Sequence, residues 1–226
     1  MPTPVPFLPP ADLHDIARGM AVVCRLYDKA DPDVVFRLDR DRQAAVGRWR
    51  DFDGNSCHFL FTPAGAVLLG YAADSPLAPA ARAADTGEFD AYPGLYEQLP
   101  PALHEHLNAD PFADDGFDPR EVTLVLWNTG KTKDWQKGDA IALPPGAGPD
   151  ADGQKHLLGK LKAYYDDFPA AFEETYNWDL DGDAVTDLLS GDRISLAVVR
   201  GIKPDLKELP EAKAWLAEMG FVVDGK

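Results

Sequence analysis

Residues 34–72 read VVFRLDRDRQAAVGRWRDFDGNSCHFLFTPAGAVLLGYA, and the fold follows from how this stretch divides. Four apolar runs, Val34–Leu38, Ala44–Arg50, Cys57–Thr62 and Ala66–Ala72, are separated by clusters of Asp, Asn, Gly and Pro. Branched and aromatic side chains in runs of this length, bounded by turn formers, predict strands. Pro63-Ala64-Gly65 supplies a tight turn, so the last two runs form a hairpin and the four form an antiparallel meander.

Outward from the meander, Leu13, Ile16, Ala17, Met20, Val23, Cys24 and Tyr27 recur at helical spacing. Asp12 offers an N-cap and Asp31-Pro32 a stop, which predicts a helix over about 12–28. Prolines at 2, 4, 6, 9 and 10 make an extended lead-in. Downstream, Ala73 to Pro101 is rich in small residues, prolines and acids and reads as a long surface loop. Pro101–Asn108 reads as a brief helix and Glu121–Trp127 as a buried strand, with Asp139–Leu143 expected to pair with it through a turn at Asn128–Gly130. Pro144 to Gly153 is linker-like, and the chain beyond it is mostly helical. Ile194–Ile202 suits either helix or strand, and Gly220 is placed to terminate a helix over Leu209–Met219.

The expected architecture is therefore α+β: an N-terminal helix with an antiparallel β-meander in residues 1–143, a linker at 144–153, and a helical region at 154–226. The helical region is expected to pack on the first as one compact unit. A chain of 226 residues with 45% hydrophobic and 27% charged side chains has enough apolar material for a full core. Two cysteines, Cys24 and Cys57, both in apolar runs, read as buried thiols instead of a disulfide framework. The proline-broken start has no signal-peptide character, and the longest apolar stretch falls short of a membrane span, so a cytoplasmic location is expected.

Net charge is −16 and unevenly spread: +1 over residues 1–50, −11 over 51–130 and −6 over 131–226. A field of that sign repels phosphate backbones and anionic headgroups, so nucleic acid and membrane surfaces are excluded as partners and a basic protein is favoured.

The stretch Gly70-Tyr71-Ala72-Ala73-Asp74-Ser75-Pro76-Leu77-Ala78-Pro79, ahead of a tryptophan-bearing strand and a helical tail, resembles a family of bacterial proteins with no assigned activity. The resemblance spans residues 45–220. It implies a compact α+β protein and nothing about chemistry.

Local motifs for chemistry fail one by one. Asn177, Asp179, Asp181 and Gly182 match the first half of a calcium loop, with Asp183 alongside, but Leu188 stands where the bidentate acid belongs. A linker whose Asp181 or Asp183 caps the next helix explains the same residues. Gly130-Lys131-Thr132 lacks the earlier glycine of a phosphate loop, since Val125 occupies that position. His104 and His106 are two residues apart, which on a helix points them to different sides and not at one metal. No Gly-x-Ser-x-Gly elbow or dinucleotide fingerprint occurs, and no cofactor is expected.

What remains is a distributed feature. From Asp74 to Asp118 there are ten acids and one arginine, interleaved with aromatic residues. Acids steer a cationic partner, and aromatic anchors supply contact area. The leading expectation is a non-enzymatic interaction module of immunity or inhibitor type. Asp85, Glu88, Asp90, Asp114, Asp115 and Asp118 are its contacts, and Tyr92, Tyr96 and Phe117 its anchors. The rival is a hydrolase-like enzyme whose carboxylate site converges from distant positions and leaves no linear motif.

Overall fold

A computed structural model describes residues 1–27, 33–86, 91–176, 179–189, 193–206 and 209–224. The chain opens with β1 (Thr3–Val5) and α1 (Pro10–Tyr27), followed by β2 (Val34–Asp39), β3 (Ala44–Arg50), β4 (Ser56–Thr62) and β5 (Gly65–Tyr71). After α2 (Pro79–Thr86) and α3 (Pro101–Asn108) come β6 (Leu124–Asn128) and β7 (Trp135–Lys137). The sheet is antiparallel, seven strands in the order β1-β7-β6-β5-β4-β3-β2. The meander expected from residues 34–72 is its centre.

Side chains alternate across this sheet and build two cores. Val34, Phe36, Trp49, Cys57, Phe59, Leu68, Leu124 and Leu126 belong to the core shared with α1. Val46, Leu60, Val67, Leu69, Val125 and Trp127 belong to a second core on the other face, closed by Leu95, Leu99, Leu103, Leu107, Phe112 and Val122. The run Ala73–Pro101 is therefore no surface loop throughout. Its described parts include α2 and the buried Leu77, Ala78, Leu95 and Leu99, because an uncovered apolar sheet face must be roofed by something.

The C-terminal helices α4 (Gln154–Asp166), α5 (Phe168–Tyr176), α6 (Gly182–Leu189), α7 (Leu196–Ile202) and α8 (Leu209–Glu218) contribute Leu157, Leu161, Phe172, Val185, Val199 and Leu216 to the first core. Helix α1 is buried nearly all round from Ala17 to Cys24, since sheet and helices enclose it from both sides. Gly19 permits the approach of α6: a Cβ there would stand 2.6 Å from Leu189 Cδ2. The ambiguous run 194–202 divides at Ser195. Residues Arg193–Ser195 form β8, parallel to β9 (Val222–Asp224), and Ser195 Oγ accepts from the Val198 N–H to start α7. Gly220, at φ +86°, ends α8, with the Phe221 N–H donating to Leu216 O and the Gly220 N–H to Ala217 O.

Three expectations shift. Helix α1 begins at Pro10, two residues before the expected cap at Asp12, because proline is suited to a first turn. The lead-in does more than extend, since Thr3–Val5 pairs with Trp135–Lys137. The partner of β6 is β7, with Leu126 opposite Lys137, and Asp139–Leu143 is not a strand. Asn128 explains the shift: its side-chain amide donates to Thr132 O and Asp134 O and its Oδ1 accepts from Gly130, so the turn closes early. Trp135 is then buried, with Nε1 donating to Leu8 O.

Residues 144–153 are bound into the fold near their end. Ser75 Oγ donates to Ala151 O, and Thr123 Oγ1 donates to Asp152 O. Among the described residues no helix is long and apolar enough to cross a membrane.

Candidate functional site

The second core puts the acidic segment in place. Leu103 and Leu107 lie one helical turn apart on α3 and are buried. The chain then crosses the sheet through Phe112 and Phe117 and returns to β6 at Val122. Residues 91–121 hold seven carboxylates against one arginine, net −6. What these carboxylates meet decides their use.

The nominated aromatics face the protein. The Tyr92 hydroxyl donates to Ala142 O, and the Arg82 guanidinium sits 5.6 Å over its ring. The Tyr96 hydroxyl donates to Pro119 O, and burial, then Asp118, push its pKa up. Phe117 stacks on the buried His58 of β4, with centroids 3.6 Å apart and planes 15° from parallel. All three rings pack against the second core, and Phe117 is the one stacked on a strand residue.

Three nominated acids are matched internally. Arg37 of β2 lies 3.5 Å from Asp114 and 3.7 Å from Asp115, and also donates to Pro111 O. Asp118 accepts from the Arg120 side chain through both oxygens and from its backbone N–H, which holds its carboxyl below the usual range. Asp85 lies in α2, while Glu88, Asp90 and Asn177 fall outside the described residues.

Other acids remain open. Glu97, Glu105, Asp110 and Glu121 are exposed, and none has an ion-pair partner among the described residues. Asp110 lines a cleft of about 620 Å³ between α3 and the crossing segment. Tyr96, His104, Leu107, Asn108, Phe117 and the Asp118–Arg120 pair share its walls. Asn108 Nδ2 lies 3.1 Å from His104 Nδ1, bracing the imidazole. Asp110 has φ +51°, and its N–H donates to Leu107 O at the end of α3. Sequence reasoning nominated none of Asp110, Glu105 and His104, having weighed His104 only as half of a metal pair with His106. The available signal was Asp110-Pro111 directly after a short helix, an acid fixed at a helix C-terminus.

No protein-family model, curated protein or solved structure matches this chain.

The calcium-like stretch resolves into a cap. Asp181 Oδ1 accepts from the Asp183 and Ala184 N–H groups at the start of α6, with Asp179 and Asp183 exposed beside it. Among the described residues, no three His, Cys, Asp or Glu side chains gather in a way that could hold a metal ion. Cys57 and His58 lie on opposite faces of β4, the first in the core shared with α1 and the second against Phe112 and Phe117.

Proposed function

We propose that this protein is an acidic cytoplasmic interaction module, of immunity or inhibitor type, whose α3 face docks a basic protein. One observation carries the reading: open carboxylates at Glu97, Glu105, Asp110 and Glu121 belong to a cover segment containing a cleft with Tyr96, Leu107 and Phe117 in its walls. Uncompensated charge of one sign beside apolar and aromatic surface favours encounter with, and burial of, a cationic protein surface. The contact set differs from the one expected from sequence, because Asp114, Asp115 and Asp118 are matched by Arg37 and Arg120. The hydrolase-like alternative gains less: Asp118 in the cleft is tied to Arg120, which leaves Asp110 without a second free carboxylate to work with among the described residues lining it.

Titration calorimetry with short cationic peptides tests the reading. Binding should weaken steeply as salt rises from about 50 to 500 mM, because screening shortens the reach of exposed charge. Combined E105Q, D110N and E121Q substitution should weaken it further, while E173Q and E174Q, on α5, should not. Binding that ignores salt, or that falls equally in both variants, would overturn the docking role.

A further inference from the structure

We infer that the cleft beside α3 is a subsite for an arginine side chain of the partner, a deepening that rests on the docking reading above. The cleft, about 620 Å³, is in the size range of pockets that enclose a compact organic group. Tyr96, His104 and Phe117 are among its lining residues, with His104 exposed. Aromatic surfaces take a planar, weakly hydrated guanidinium on their faces more readily than they take a compact ammonium.

The acceptor is Asp110. It lines the cleft, has no cationic partner among the described residues, and follows directly on the C-terminal end of α3. Unsatisfied carbonyls at a helix C-terminus carry partial negative charge, so helix end and carboxylate favour a cation at the same place. The other charged pair in the wall does not oppose this, because Arg120 is neutralised by the two oxygens of Asp118. That pair is also the chain's own instance of a guanidinium held by a carboxylate in this cleft, and the Arg82 guanidinium over the Tyr92 ring sets the cation–ring contact beside the same cover. An incoming arginine would repeat at Asp110, in partner-to-protein form, contacts the fold already makes within itself.

Two cationic peptides of equal charge, one bearing arginine and the other lysine at every basic position, separate the claims by titration calorimetry. The arginine peptide should bind the wild-type protein about fivefold more tightly, and D110N should remove that preference. Equal affinities in the wild type, or a preference that survives in D110N, overturn the subsite while leaving the docking reading intact if both bind with salt dependence. Failure of both peptides to bind overturns both. Should D110N fold poorly, amide shifts in the wild-type protein decide: with the arginine peptide they should concentrate at Asn108, Asp110 and Phe117, and shifts confined elsewhere refute the site.

Discussion

His58 lies flat against Phe117, imidazole and phenyl rings 3.6 Å apart, with Phe112 edge-on at 5.4 Å. Its Nδ1 is buried without a hydrogen-bond partner among the described residues, and Arg48 is its cross-strand neighbour. The joint between cover and sheet is thus an uncharged histidine. Burial, and secondarily the Arg48 guanidinium, push its pKa down to about 3.

Stability should consequently fall in mild acid. In the folded protein His58 stays neutral until about pH 3, while the unfolded chain takes up the proton near its ordinary 6.5. Between those values the unfolded state binds more protons, so stability is complete above pH 6.5 and declines as pH drops, by roughly 5 kcal/mol by the time the folded-state value is passed. Urea unfolding at pH 7 and at pH 5.5, above the ordinary carboxylate range, should show this slope in the wild type and a flattened one in H58F. An unchanged slope in H58F would contradict the assignment.

Thr123 is buried and links three parts of the chain: its Oγ1 accepts from the Ala72 N–H at the end of β5 and donates to Asp152 O. T123V keeps the shape but strands both backbone groups, at a cost of about 2 kcal/mol. T123S, which keeps the hydroxyl, should cost about half of that. Denaturant midpoints with unchanged slopes would measure both.

Lys160 of α4 reaches the β3–β4 turn and contacts Asp51 at 2.9 Å as well as Asp53. Burial alone would raise the Asp51 pKa, but hydrogen bonds from Asn55 and Lys160 overcome it and hold the carboxyl below its ordinary 3.8. A lowered carboxylate stabilises the fold above its ordinary value and ceases to as pH drops through the folded one. K160M should cost about 1 kcal/mol at pH 7, and that difference should shrink in thermal melts as the pH is taken progressively below 3.8.

Cys24 and Cys57 are fully buried and not joined in a disulfide, and burial raises the Cys57 thiol pKa further from neutrality. An aromatic disulfide reagent should leave both untouched over minutes in the native protein and label both in denaturant. Prompt labelling without denaturant would show that this core opens easily.

The sheet was readable because each strand of the meander carries its own apolar run and turn residues, from Val34 to Ala72. The roof over its second face was not. Leu95, Leu99, Phe112 and Val122 are spaced irregularly, being buried by a chain that crosses the sheet without regular structure, so no period marks them. Strand β7 was misplaced because the side chain of Asn128 sets the turn, and side-chain hydrogen bonds of that kind leave only a composition cue. The acids of the middle segment were visible as a count. Which of them meet Arg37 or Arg120 depends on the distance between β2 and the crossing segment, a tertiary fact beyond any local pattern.

Strand β1 forms one border of the sheet with proline at its central position, opposite Gln136, and with Pro2 and Pro6 on either flank. Proline has no amide hydrogen, so this border lacks the regular row of donors by which a further chain would be recruited or a fibril would lengthen. At that edge the molecule is protected against self-templated growth by three residues, at no expense to its core.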